Sequence, residues 1–151
     1  MSGDAPVALA PVRAAIRSAV RPYSLPRDAS VTLAFVDDAA MRELNRRYRG
    51  KDRTTDVLSF GQATAPGAKG AEAVLRLGRE ADGSLDLGDV VISTPQAVRQ
   101  AKRKRYPLLR EISFLAAHGA LHLLGFEDES RAGYREMVAL GTAALAKVGR
   151  R

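Results

Sequence analysis

The sequence of 151 residues contains no cysteine and no tryptophan, and aromatic residues make up only 5% of it. Without cysteine there can be no disulfide framework, no thiolate-bound metal and no disulfide-linked partner, which fits a reducing compartment. No apolar run is long enough to cross a bilayer. Because Pro6 and Pro11 interrupt the apolar residues near the start, we see no signal peptide and predict a cytoplasmic protein without a membrane partner.

Acidic residues are fewer than basic ones, 17 against 24, so the net charge is +7. This balance favours an anionic partner, of which nucleic acid is the commonest. The alternative is that the charge follows from a composition rich in alanine, arginine and glycine. Where the cations cluster is therefore more informative than their total.

Histidine is also scarce, and the two histidines, His118 and His122, stand four residues apart. In a helix this spacing places both imidazoles on one face, where they can bind one divalent metal. Gly125 can end the helix in a left-handed conformation, and Asp128 follows closely enough to return a carboxylate to the same ion. Two histidines and one carboxylate with open positions are typical of a catalytic metal centre. An inert histidine pair is the alternative, but buried imidazoles need a hydrogen-bond or metal partner.

The spacing resembles the metal-binding run of metzincin-type proteases, in which a glutamate follows the first histidine as general base. Here that position is Gly119, so the ligand set is present and the protease base is absent. A zincin-type metallopeptidase stays open as an alternative, provided that it finds another base.

The run H-G-A-L-H-L-L-G-F-E-D at 118–128 is similar to the signature of the YbeY family, bacterial rRNA maturation factors described as single-strand-specific metallo-endoribonucleases. A second block at 44–60, L-N-R-R-Y-R-G-K-D-R-T-T-D-V-L-S-F, resembles another run of this family. A third, at 87–93, begins Leu-Gly-Asp and ends in an apolar run and Ser. Thr54 and Gly61 stand where the family usually has proline, and Asp128 where it commonly has a third histidine.

The resemblance implies an α+β fold over a single domain, residues 1–151. We expect a small mixed sheet of about four strands packed with about five helices, and a zincin-like metal cleft beside a central apolar helix. Sequence patterns predict helices at 11–22, 39–49, 94–105, 108–124 and 130–148, and strands at 31–36, 56–60, 73–77 and 87–93. Asp37 or Asp38 is the predicted cap of the second helix, and Thr94 that of the third. Residues 65–71 are predicted as a loop, and strand 73–77 as part of a hairpin.

Two helices have predicted inward faces that include tyrosine. For the helix at 39–49 these are Met41, Leu44 and Tyr48. For the last helix they are Tyr134, Met137, Val138, Gly141 and Leu145.

The resemblance implies that His118, His122 and Asp128 bind one divalent metal that activates water for hydrolysis, with zinc favoured. The added charge of Asp128 also suits harder ions such as Mn²⁺. In the family the arginine at the position of Arg49 is implicated in ribonuclease activity, so Arg49 and His118 are the predicted catalytic residues. Glu111, Glu127 and Glu129 are open candidates for the general base.

Two basic clusters could bind RNA phosphates. Arg49, Lys51 and Arg53 lie on a short loop, and Lys102 and Arg103 belong to a run of five cations at 99–105. Such groups are suited to bidentate phosphate contacts, although each cluster could instead be a solvated surface.

The function implied by the resemblance is a metal-dependent endoribonuclease that matures the 3′ end of 16S rRNA and takes part in small-subunit quality control. Its implied partners are single-stranded rRNA and the small ribosomal subunit. A third hypothesis is a non-catalytic RNA-binding ribosome assembly factor, in which metal serves stability only.

Overall fold

The computed structural model describes residues 5–62 and 67–148. Within these ranges the helices are α1 (Leu9–Val20), α2 (Asp38–Arg49), α3 (Ala71–Leu75), α4 (Thr94–Lys104), α5 (Leu108–Leu123) and α6 (Arg131–Val148). The strands are β1 (Ser30–Val36), β2 (Val57–Phe60) and β3 (Asp86–Ser93). None of the described helices combines the length and apolar character that a membrane span requires.

The sheet is mixed, with β3 in the centre, parallel to β1 and antiparallel to β2. Successive side chains of β3 point to opposite faces, so Val90 and Ile92 join the large core cluster while Val91 joins a smaller one with Met41 of α2. Helices therefore cover both faces of the sheet. The predicted α+β class with a small mixed sheet is confirmed.

Helix α5 lies at the centre of the large core. Ile112, Leu115 and Leu121 are at most 2% exposed, and Val12 of α1 and Met137 of α6 are fully buried beside the same helix. The predicted central helix is confirmed, and it is buried on much of its circumference.

Local sequence explains most helix ends. The Asp37 carboxylate accepts a hydrogen bond from the Ala40 N–H at 2.8 Å, and Gly50 ends α2 with a φ of 70°. For α4 the predicted cap is wrong by one residue, because Ser93 rather than Thr94 accepts from the Gln96 N–H. Helix α1 begins two residues before Pro11, which the first turn tolerates because its N–H groups have no intrahelical acceptor.

The predicted strand at 73–77 is wrong, since residues 71–75 form the short helix α3. The Gly70 N–H donates to the Leu124 carbonyl at 2.9 Å, and the Val74 N–H donates to the Gly70 carbonyl, which closes a helical turn. The described sheet accordingly has three strands rather than about four, and no hairpin forms there. Part of the predicted loop at 65–71 lies outside the described residues.

Two tyrosines predicted to face inward are exposed. Tyr48 is 55% exposed and contacts Phe60 edge-on, while Asn45 takes the buried position on α2 and donates to the Arg53 carbonyl at 2.9 Å. Tyr134 is 54% exposed, although Met137 on the same helix is fully buried. The spacing of apolar residues predicted both helices, but it did not predict which residues at the boundary of the buried face are exposed.

Candidate metal centre

The last two turns of α5 and the loop after it bring three side chains together. The rings of His118 and His122 lie 4.8 Å apart between centroids. Gly125 turns the chain with a φ of 90°, and a Cβ there would lie 2.3 Å from the Ala68 carbonyl oxygen, so only glycine fits. The turn places Asp128 Oδ2 3.3 Å from His118 Nε2 and 3.2 Å from His122 Nε2.

The hydrogen bonding of His122 shows what this cluster requires. Its Nδ1 lies 3.0 Å from the Phe126 carbonyl oxygen, which can only accept, so Nδ1 carries the proton and donates. In a neutral ring Nε2 is then an acceptor, and it faces the acceptor Asp128 Oδ2. Two acceptors at this distance need a proton or a cation between them. A metal ion supplies that positive charge without protonating the imidazole.

The spacing of the three ligand atoms fits one small ion. They all lie within 4.8 Å of one another. Two ligands about 2.1 Å from a zinc ion at a tetrahedral angle lie roughly 3.4 Å from each other, close to both Nε2–Oδ2 distances. The Phe126 carbonyl orients His122 as outer-shell partners of metal-bound histidines do.

Burial sets the protonation states that metal binding needs. His118 is only 7% exposed, and burial, together with neighbouring His122, lowers its pKa. Burial would raise the pKa of Asp128, but His122 and His118 outweigh it and hold that pKa below its ordinary value. The arrangement favours a neutral His118 beside an ionised carboxylate, the forms that bind a divalent cation.

A cleft of about 670 Å³, which we name the cationic cleft for its basic residues, opens on one side of this triad. Three basic and three acidic side chains line it together with His122, namely Arg49, Lys51, Arg53, Glu127, Asp128 and Glu129. Arg49 Nη2 donates to the Ser59 carbonyl at 2.7 Å, and its guanidinium lies over the Phe60 ring. The first predicted basic cluster and the predicted metal ligands thus share one cleft.

The second predicted basic cluster is divided. Arg103 lines a smaller cavity that also contains the triad, whereas Lys102 lies on another side of α4, beside Arg105. Arg99 and Lys104 are each paired with an acidic side chain. Of the five predicted RNA-binding residues the structure therefore places four beside the triad and leaves Lys102 apart.

The candidates for the general base differ in their surroundings. Glu127 accepts from the N–H groups of Glu129 and Ser130 and from Ser130 Oγ, and these Ser130 contacts lower its pKa. Glu111 is fully buried and paired with Lys104, so it serves the core. Glu129 lines the cationic cleft.

Gly119, which stands where a metallopeptidase has its base, packs directly on the sheet. A Cβ there would lie 2.6 Å from Val90 Cγ1. The Ser59 hydroxyl also donates to the Gly119 carbonyl at 2.8 Å. Because this position has no room for a side chain, it cannot supply the base that the metallopeptidase hypothesis needs.

Sequence reasoning missed two backbone acceptors in the site. The carbonyls of Phe126 and Ser59 orient His122 and Arg49, respectively. A backbone carbonyl leaves no mark on residue type, so no signal in the sequence could have identified either one.

Comparisons with known proteins identify the family of this chain. Residues 7–149 match the family model described as Endoribonuclease YbeY. A protein of that name from Moorella thermoacetica is 48% identical over 124 residues, which cover 82% of this chain and 76% of that one. Another, from Geobacillus thermodenitrificans, is 38% identical over 143 residues, covering 89% of this chain and 82% of that one.

A solution structure from Thermotoga maritima shares the fold, with a TM-score of 0.61 and 21% identity. The superposition covers 97% of this chain and 85% of that one. The family model and the relatives show that the chain belongs to the endoribonuclease YbeY family and is an enzyme of the hydrolase class.

Proposed function

We propose that the protein is a metal-dependent endoribonuclease that cleaves single-stranded rRNA at the triad of His118, His122 and Asp128, with zinc favoured as the ion. The observation that carries this proposal is the pair of facing acceptors, His122 Nε2 and Asp128 Oδ2, inside the cleft that also contains Arg49, Lys51 and Arg53. A metal cation satisfies the two acceptors, and the three basic side chains can bind a polyanion.

The chain's own residues have defined tasks in this proposal. A divalent ion bound by the triad would supply a water of lowered pKa and a Lewis acid for a phosphoryl oxygen. Arg49, held by the Ser59 carbonyl and Phe60, donates to phosphate oxygens and offsets the charge that develops on them. Lys51 and Arg53 bind neighbouring phosphates of the strand.

We also propose the biological setting. The substrate is the 3′ end of 16S rRNA, the partner is the small ribosomal subunit, and the enzyme acts in the cytoplasm and in subunit quality control. Membership of the family and the basic cleft support this setting. Residues 1–151 would form one domain, which the packing of both α1 and α6 on α5 supports.

The test compares Arg49→Ala with wild type in cleavage of a labelled single-stranded RNA by zinc-loaded protein. We expect turnover to fall about 100- to 1,000-fold, as when one donor to a developing charge is removed. Arg49→Lys should recover only part of it, because an ammonium cannot make the bidentate contact. Arg17→Ala is the control, since it removes the same charge from the exposed side of α1.

Two results would contradict the proposal. If a chelator leaves cleavage intact, the triad does not act through a metal. If RNA binds and Arg49→Ala weakens that binding, but no strand is cut, the non-catalytic assembly factor is the better description.

A further inference from the structure

A second cavity, of about 350 Å³, opens on the other side of the triad, between α4, α5 and α6. It shares Thr55, Val57, His122 and Asp128 with the cationic cleft, so the two form one continuous path across the candidate metal centre. The proposed function uses only the cleft on the Arg49 side. A strand cut at the triad must also continue on the far side.

The second cavity has three acidic side chains, like the cationic cleft, but only two basic ones against three. Asp56 and Glu111 line it, and the charge of Glu111 is offset by Lys104 at 3.0 Å. Asp56 accepts from the Val57 N–H and from Gln100 Nε2, and no described cation forms an ion pair with it. A phosphate is therefore disfavoured in the interior, where a carboxylate and amide groups suit the edge of an uncharged base instead.

Aromatic side chains line the same cavity. Tyr134 of α6 is 54% exposed, and Phe114 of α5 lies 5.8 Å from the His118 ring between centroids. An exposed tyrosine beside a polar cavity provides a surface on which an unpaired base can stack.

A cation stands beside these groups. Arg103 is exposed, lines the cavity and forms no ion pair among the described residues. Arg99 and Lys104, its neighbours on α4, are both paired. Of the described basic residues that line this cavity, Arg103 is thus the one without an ion pair, and it can take a phosphate outside the cavity.

We propose that this cavity is a nucleobase subsite for single-stranded RNA, in which the base next to the bond at the triad stacks on Tyr134 and Arg103 binds the adjoining phosphate. The inference rests on the proposed function and deepens it. The strand would run with its phosphates on the Arg49 side and with a splayed base on the α6 side.

The test measures binding of a fluorescein-labelled 12-nucleotide single-stranded RNA to zinc-loaded protein by anisotropy at 4 °C, with RNA integrity checked on a denaturing gel. Tyr134→Ala should weaken binding roughly fivefold to a hundredfold, the range for losing one base–aromatic stack. Tyr134→Phe should bind like wild type, whereas Tyr134→Leu should behave like the alanine variant. Leu75→Ala, which truncates an exposed apolar side chain outside both cavities, is the control.

Arg103 is tested by the dependence of affinity on salt. Arg103→Ala should reduce the slope of log K against log[salt] by about 0.7, the value for one phosphate contact on a single strand. The Arg17→Ala variant should leave the slope unchanged. Thermal unfolding of each variant checks that its fold is intact.

Photocrosslinking locates the base directly. With 4-thiouridine placed at successive positions of the RNA, one position should crosslink to the peptide that contains Tyr134. The subsite would be overturned by crosslinks confined to α2 and β2, or by binding like wild type in all three Tyr134 variants. Neither result would affect Arg49-dependent cleavage, so the proposed function would still stand. If the wild-type protein binds no single-stranded RNA, both fail.

Discussion

If the proposed triad binds a metal, Asp128 should influence which metal it prefers. Its carboxylate is an anion that lies beside two imidazoles. A neutral histidine at this position would leave a bound metal ion and its ligands with a higher net charge. A carboxylate lowers the Lewis acidity of zinc and suits harder ions such as Mn²⁺ better than imidazole does. Metal preference should therefore change with this one side chain.

We predict that Asp128→Asn weakens zinc binding by more than about tenfold. Mutating residues that only hydrogen-bond to metal ligands already lowers metal affinity by about this factor, and loss of a ligand should cost more. The amide keeps the shape of the carboxylate but removes the charge that faces His122 Nε2. Asp128→His should bind zinc but lose affinity for Mn²⁺. Competition with a chromophoric chelator measures both affinities.

The neighbouring variant Glu129→Gln is the matched control, because it removes one charge from the same loop without touching either histidine. If Asp128→Asn and Glu129→Gln bind zinc equally well, Asp128 is not a ligand and the site must be reassigned.

Spacing was enough to predict that His118, His122 and Asp128 come together. The period of a helix places the two histidines on one face, and Gly125 permits the return of Asp128. Burial of Glu111 could not be predicted in the same way. It depends on Lys104 and on Gln100, whose positions beside it follow from the turn between α4 and α5. In the sequence Glu111 was only a candidate base, and its role in the core becomes visible once both helices are packed.

At the scale of the elements, the junction of α4 and α5 is held by that buried carboxylate. Glu111 is fully buried and accepts hydrogen bonds from Gln100, Lys104 and the Tyr106 hydroxyl. Burial alone would lower the pKa of Lys104, but the contacts with Glu111 and Tyr106 raise it above its ordinary value. The ammonium is therefore retained, and it offsets a charge that water cannot reach.

We predict that Lys104→Met destabilises the protein by about 2–3 kcal/mol, somewhat less than the roughly 3–5 kcal/mol for breaking a fully buried pair. The smaller value reflects the 40% exposure of the Lys104 side chain and the remaining donors around Glu111. Urea unfolding measures the change in the free energy of unfolding.

The control pair is Arg46 and Glu43, both more than half exposed, for which Arg46→Ala should destabilise the protein much less than Lys104→Met does, because solvent screens an exposed pair. Adding Glu111→Gln to Lys104→Met should recover part of the loss, since the uncompensated charge disappears. If the double variant is no more stable than the single one, the loss comes from packing of the lysine stem instead.

Elements with a strong local signal were predicted well, and those that tertiary contacts decide were not. Asp37 caps α2 as its residue type indicates. The segment that became α3 reads equally as a strand or a helix over five residues, and the hydrogen bond from Gly70 to Leu124 decides between them. The Leu124 carbonyl lies at the end of α5, about 50 residues further along the chain, so the local sequence of α3 could not predict this hydrogen bond.

In the whole molecule, the buried end of α5 makes stability depend on pH. Burial lowers the pKa of His118, so the native state binds its proton less readily than the unfolded chain does. As pH falls through about 6.5, the unfolded state takes up this proton first and stability decreases. The low pKa of Asp128 acts in the same direction but only below about 3.8, so His118 controls the mildly acidic range.

We predict that the free energy of unfolding of metal-free protein is nearly constant above pH 7.5 and falls below about pH 6.5, by up to roughly 1.4 kcal/mol per pH unit for one proton. Urea unfolding in chelator at pH 7.5, 6.5 and 5.5 measures this. His118→Gln should flatten the slope, because glutamine does not titrate. Saturating zinc should raise stability most at pH 7.5, where protons do not compete for the imidazoles. If the free energy of unfolding changes with pH equally steeply in His118→Gln and in wild type, the acid-sensitive group lies elsewhere. The end of α5 would then not be the place where protonation and metal binding affect folding.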